Sequence, residues 1–452
     1  MTTGAGRSTL GPLPVALLLG SLIGLSGMGS AAVAVALPAV VDHFDVPADR
    51  GVWVISAYAI TLAVGTPLYG RAADNAGIRT PFAVGIVLLS LGALLAAAAP
   101  SYPAMIAARL LQGTGAGAAP VLALAALRVL YDGRTRSAAL GHLAGTAVAV
   151  TALGPVVGGF LTDAVGWRAA VAVPSFALVA LAVVWRSLPT GGTGARLDYA
   201  GAALVAGTAA GLVLLVQSPS IGTAAAVAGA ALLALGAPAV TTWVRRRPAG
   251  FLPRSVLAEP AVLRSALGGA ALPASWFGLL VAIPTVLAAA GWSPLEIGFA
   301  LLPGALLGVV VSRRVGRTID RFGAGRSITL AALTCFVAVL VGALGAAGAP
   351  VLLMVAMALV YAGFTLGQPA MSAAVAEVVP EGTEGVALGM ATLVFFLGGG
   401  LGAAVAGLGS VLGHPWSLVL LSLLPLTAAV VSRAPGRRTP GAPCAGPPGP
   451  AA

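Results

Sequence analysis

Lysine is absent from this chain, and charge of either sign is scarce: 8% of the 452 residues are Asp, Glu, Lys or Arg. Soluble domains carry about 25%. So little charge cannot cover a water-facing surface, whereas a surface facing hydrocarbon needs none. The lack of lysine also removes any Gly-x4-Gly-Lys-Ser/Thr phosphate loop, which disfavours a nucleotide-driven pump. Cys335 and Cys444 fall in an apolar run and in the tail, so they build neither a disulfide framework nor a metal site. His43, His142 and His414 form no ligand cluster, and no metal or cofactor is expected. Only 13 acids are present, and they form no carboxylate cluster suited to holding a metal and a diphosphate at the membrane face. A membrane prenyl or glycosyl transferase is thereby disfavoured, and no enzyme activity is expected.

What the chain does have is apolar length. Hydrophobic residues make up 59% of it, and the 62 glycines suit helices that approach one another closely in lipid. Mean hydropathy is +1.02. Runs long enough to cross about 30 Å of hydrocarbon recur near 13–41, 52–70, 81–99, 103–127, 138–162, 169–185, 199–217, 222–244, 265–290, 294–312, 327–347, 350–373, 385–411 and 415–432. The first is too long for the apolar part of a signal peptide and reads as a membrane helix.

Arginine sets the expected orientation. With the N-terminus in the cytoplasm, 21 of the 24 basic residues fall in inside segments, from Arg7 to Arg438. Arg50 and Arg168 fall outside, and Arg109 lies within a span. An even number of crossings puts both termini inside. The net charge of +11 is therefore topological, and no nucleic-acid partner is expected.

The loop after the second run reads Gly70-Arg71-Ala72-Ala73-Asp74-Asn75-Ala76-Gly77-Ile78-Arg79. After the tenth run comes Gly316-Arg317-Thr318-Ile319-Asp320-Arg321-Phe322-Gly323. Both share Gly-x3-Asp-x2-Gly, eight runs apart rather than the six that two six-helix halves would give. Two extra helices between the halves account for the difference. The expected organisation is a six-helix bundle over 13–185, an inserted pair over 199–244, a second six-helix bundle over 265–432, and a disordered cytoplasmic tail over 433–452.

Three motifs stand out. In the first loop, Asp74 can accept from a helix N-terminus and Arg79 can bridge to a neighbouring helix end. In the fourth run, Arg109-Leu110-Leu111-Gln112-Gly113-Thr114-Gly115 puts an arginine in the membrane at a cost of about 2.5–3.5 kcal/mol, so it needs a partner; Gln112 shares its helical face. In the fifth, Gly154-Pro155-Val156-Val157-Gly158-Gly159 combines a proline that breaks the helical ladder with glycines that allow close packing.

Together these motifs resemble the major facilitator superfamily, specifically its fourteen-helix drug:proton antiporter branch, over about residues 12 to 432. The resemblance implies an all-α membrane protein of two six-helix bundles plus two inserted helices. It makes Gly70, Asp74, Gly77 and Arg79 a cytoplasmic gate, with Gly316, Asp320 and Gly323 as its second-half counterpart. It assigns Arg109 to proton coupling, and Gly154, Pro155, Gly158 and Gly159 to the helix 5 motif of exporters. Many members hold an acid in helix 1 at the position that is Gly29 here, so cationic substrates and that coupling route are in doubt. Asp42, at the outer end of helix 1, is the acid expected to approach Arg109 and titrate. Asp163 with Trp167-Arg168 is expected to form an ion pair on the outer side. Tyr58, Gln112, Gln217 and Gln368 are candidate cavity residues, with hydrogen bonds between helices as the alternative. The implied function is alternating-access export of a small apolar or amphipathic compound across the cytoplasmic membrane in exchange for protons. The partners are then substrate, protons and the lipid bilayer. A facilitator-type importer or symporter is the alternative.

Overall fold

The computed structural model describes residues 10–191, 198–248, 250–254, 258–379 and 384–433, and among them there is no strand. Arg7, Arg196, Pro380, Arg437, Arg438 and the tail beyond Arg433 lie outside the described residues. Among the described residues, fourteen helices are long and apolar enough to cross a membrane, one for each expected run. In the first half these are α1 (Pro12–Phe44), α2 (Trp53–Ala76), α3 (Arg79–Ala97), α4 (Tyr102–Leu130), α5 (Gly133–Ala164) and α6 (Trp167–Ser187). Then come α7 (Tyr199–Pro219) and α8 (Thr223–Arg246). The second half holds α9 (Pro260–Ala289), α10 (Pro294–Ser312), α11 (Ala324–Ala346), α12 (Val351–Ala376), α13 (Ala387–Leu412) and α14 (His414–Arg433). Hydrocarbon offers backbone groups no water, so each apolar segment satisfies its own amides as helix.

Glycine sets how near the helices come. A β-carbon at Gly20 of α1 would meet the Leu143 carbonyl oxygen of α5 at 2.6 Å, and one at Gly158 would meet Ala32 Cα at 2.5 Å. In the second half Gly398 and Gly402 of α13 lie directly on the carbonyls of Ala270 and Ala274 of α9. Proline breaks one of these helices. Within α5 the helix stops at Ala152 and restarts at Gly154, with Pro155 in the first turn of the second piece, where its missing N–H costs nothing.

The two halves meet along two seams, α2 with α13 and α5 with α10. Both are tighter at one end. Along the first, the β-carbon position of Gly407 is 2.9 Å from Val52, that of Gly400 is 3.2 Å from Ile60 and that of Gly389 is 3.4 Å from Pro67. Along the second, α10 packs chiefly on the second piece of α5. A β-carbon at Gly298 would sit 2.5 Å from the Pro155 carbonyl oxygen, and Gly159 lies directly on that of Pro294. Toward the arginine-rich end the first piece of α5 packs on α1, and the β-carbon positions of its Gly141 and Gly145 meet nothing within 4 Å.

The inserted pair lies over a seam. α7 packs on both α2 and α13, with Val213 against Ile60 and Ala404. Gln217 of α7 donates to Ser56 of α2 at 3.2 Å. α8 packs chiefly on α7 and turns most of its surface outward, including Val227 and Leu235.

Candidate functional site

Arg109 is fully buried where α1, α2 and α4 converge. Its Nε donates to the Val54 carbonyl at 2.7 Å and its Nη1 to Gln112 Oε1 at 2.6 Å. The guanidinium stacks 4.4 Å from the centre of the Tyr58 ring. Tyr58 donates to the Ser26 carbonyl at 2.8 Å and lies 3.2 Å from Ser26 Oγ. Glycine again makes the approach possible, because Gly113 of α4 lies directly on the Tyr58 carbonyl. Among the described residues, Arg109 Nη2 and Gln112 Nε2 are both buried without a hydrogen-bond partner. Gly29 stands beside them, its β-carbon position 3.4 Å from Gln112 Nε2 and 2.7 Å from Pro174. The cation is thus held by a carbonyl, an amide and an aromatic face, and none of these partners is an acid.

The expected residues divide. Tyr58, Arg109 and Gln112 come together as one cluster, joined by Ser26, which the sequence reading missed. The missed signal was the Ser26 and Ser30 pair at helical spacing beside Gly29 on α1. Gln217 belongs to the α7–α2 contact, and Gln368 of α12 is half-buried, apart from the cluster. Asp42 lies exposed at the end of α1 and is not among the partners of Arg109. The outer ion pair takes another form. Asp163 accepts from the Leu295 amide at 3.0 Å, joining the end of α5 to the first turn of α10 across the halves. Arg168 instead lies over Trp167 at 4.4 Å and 3.0 Å from His43 Nε2.

The repeated loops share a backbone. Gly77 ends α2 at φ 79°, and Gly323 ends the short helix Val315–Phe322 at φ 79°. Both values favour glycine. Their surroundings differ. Arg79 donates to the carbonyl of Leu188 at 3.0 and 2.7 Å and to that of Arg186 at 3.1 Å. A β-carbon at Gly77 would meet the Gly191 amide nitrogen at 2.7 Å. This loop is therefore fastened to the end of α6, within its own half. In the second loop the β-carbon positions of Gly316 and Gly323 meet nothing within 4 Å, and Asp320 is exposed.

Arg71, in the same loop as Asp74 and Gly77, interacts electrostatically with Asp74 and with Asp198, just before α7. Asp198 accepts from the amides of Gly201 at 3.0 Å and Phe251 at 2.8 Å and from Trp243 Nε1 at 3.0 Å. Burial alone would push its carboxyl up, but these hydrogen bonds and nearby Arg247 outweigh it and hold the carboxyl below the ordinary range. The inserted pair is pinned at this end to the segment after α8.

Two helical bundles meeting along two graded seams, with a buried cation inside the first, define a membrane transporter of the two-bundle class. The family model for the Major Facilitator Superfamily matches residues 19–403 and 265–443, and the chain belongs to that family. It is similar to the multidrug resistance protein Stp of Mycobacterium tuberculosis, 28% identical over 84% of this chain and 72% of that protein. It is 27% identical to the tetracenomycin C resistance and export protein of Streptomyces glaucescens, over 71% of this chain and 61% of that one. A match to the efflux pump dotC of Dothistroma septosporum is 35% identical but spans 34% of this chain and 26% of the pump. The fold is like that of the xylose transporter XylE from E. coli in a partially occluded inward open conformation, with a TM-score of 0.64 at 15% identity over 93% of this chain and 96% of that one.

Proposed function

We propose that this chain exports a small apolar or amphipathic compound across the cytoplasmic membrane in exchange for protons, with its arginine-rich end in the cytoplasm. The observation that carries the reading is the gradient along both seams. The halves touch at backbone distance along α5–α10 at the end bearing Asp163 and Leu295, and along α2–α13 the clearance at the β-carbon positions widens from 2.9 Å at Gly407 to 3.4 Å at Gly389 toward the end bearing the arginines. Alternating access needs two halves that close at one end while parting at the other, about a site between them. The names of the efflux relatives favour the outward direction.

In this reading Arg109 couples proton movement to conformation. Its two unpartnered neighbouring donors mark a place where a proton acceptor or an anionic group is stabilised in another state. Asp42 takes part only if that state brings the end of α1 toward Arg109, and Asp42→Asn should then abolish proton-driven efflux. Gly70, Asp74, Gly77 and Arg79 hold the cytoplasmic side of the first half, with Gly316, Asp320 and Gly323 in the matching place of the second. Gly154, Pro155, Gly158 and Gly159 shape the bend on which closure turns. The test is transport in inverted vesicles with an imposed pH gradient. Uptake of dye or drug that requires an acidic interior and collapses with a protonophore is expected. Uptake driven by the opposite gradient overturns the direction.

A further inference from the structure

At the arginine-rich end a groove of about 580 Å3 opens between α11 and α14. Its rim carries Arg326, in the first turn of α11, and Arg433, the last residue of α14. Both are exposed, and neither guanidinium has a hydrogen-bond or ion-pair partner among the described residues. Its floor is polar. Thr329 and Ser432 lie 2.8 Å apart, oxygen to oxygen, and hold the two helices together there. The mouth is open, since no atom comes within 4 Å of the β-carbon position of Gly325. Leu330 and Leu333 continue the wall down α11, Leu330 being 46% exposed. At 1.5 Å per residue they lie roughly 6 and 10 Å deeper than Arg326.

This order of chemistry has a depth axis. Two unpaired cations stand at the helix ends, where headgroups lie, then hydroxyls, then exposed Leu330 and half-buried Leu333 in the hydrocarbon zone. The following segment, 434–452, contains no Asp or Glu and adds Arg437 and Arg438, so its side chains supply no counter-charge. We propose that the groove is a binding site for an anionic phospholipid. The phosphate sits between Arg326 and Arg433 within reach of Thr329 and Ser432, and one acyl chain lies along Leu330 and Leu333. Fork-shaped guanidinium groups suit phosphate oxygens. Occupied, the site would tie the last helix of the second half to α11.

The test uses the full-length purified protein and fluorescent phosphatidylglycerol or phosphatidylcholine in nanodiscs of otherwise zwitterionic lipid. Wild type is expected to prefer phosphatidylglycerol. Arg326→Gln and Arg433→Gln should each lower that preference roughly fivefold, and the pair roughly thirtyfold. Arg245→Gln with Arg246→Gln, exposed at the end of α8, removes the same charge elsewhere and should leave it nearly unchanged. Equal binding of the two lipids by wild type overturns the proposal without recourse to any variant. So does an equal loss in the α8 control, which would mean a diffuse attraction to headgroups. Displacement by soluble glycerol phosphate as effective as by lipid would reveal a phosphate site and overturn the lipid assignment. Crosslinking from Leu333→Cys to a second copy or to the chain's own tail, in place of lipid, overturns it as well.

Discussion

The α5–α10 seam makes a sharp prediction at Gly298. A β-carbon there would lie 2.5 Å from the carbonyl oxygen of Pro155, and that oxygen belongs to a backbone that cannot swing aside. Ordinary contact begins near 3.4 Å, so Gly298→Ala forces the two helices apart by about 1 Å. Overpacking of this kind costs about 1–3 kcal/mol. The penalty applies only while the seam is closed, because once the halves separate the methyl group has room. The equilibrium between the closed and open states of the Asp163 end should therefore shift toward opening by roughly 5- to 150-fold. Nitroxide labels at Val165→Cys and Ala290→Cys, both exposed near this end, report it in a background with both native cysteines replaced by alanine. The expected result is a longer distance component that grows in Gly298→Ala and is small in the parent. An unchanged distance distribution in a well-folded variant would refute the claim that backbone contact holds this end shut.

Arg109→Lys keeps the charge but cannot reach the Val54 carbonyl and Gln112 Oε1 together, so pH-driven transport should fall at least tenfold while the purified protein stays folded. Transport at parental rates would show that charge alone suffices. Arg79→Ala removes three hydrogen bonds to the carbonyls of Arg186 and Leu188, a loss of about 1–3 kcal/mol locally. Limited proteolysis between residues 186 and 191 should accelerate, and an unchanged cleavage rate would contradict the fastening of the Gly77–Arg79 loop to the end of α6. For Asp198 the folded carboxyl is held below its ordinary range, so its contribution is present above that range and is lost as pH falls through the lowered value. Asp198→Asn should thus be less stable than the parent near neutral pH, with the difference vanishing in strong acid. A difference that grows on acidification would reverse the assigned sign.

The motifs told less about partners than about places. Arg109 was conspicuous because charge inside an apolar run must be explained, and Gln112 followed from helical spacing. Tyr58 was named as a cavity residue, and only packing turned it into the aromatic face beneath the guanidinium. Asp163 shows the limit most clearly. With Arg168 five residues away, local pairing looked sufficient, yet its carboxylate reaches across to α10, a partner 132 residues distant in sequence. The matching loops were legible as a repeat and share the same glycine backbone. That Arg79 binds the end of α6, while the second loop stands open, depended on neighbours the repeat does not specify.

Hydropathy and charge along the chain were enough to determine a helical membrane protein of fourteen crossings, because the cost of exposing backbone to lipid is local and each segment must meet it alone. The same linear information marked Gly154 and Pro155 as a break, although Pro38, Pro67 and Pro303 lie inside unbroken helices, so proline alone does not say where a helix stops. Tertiary structure alone decided where the halves touch, how tightness grades along the seams, and that α7 lies over one of them. It also decided that Gly29 and a buried arginine with no acid partner meet at one point. Those outcomes depend on distances between helices, and helix-to-helix distance is set by which small residues face one another after packing.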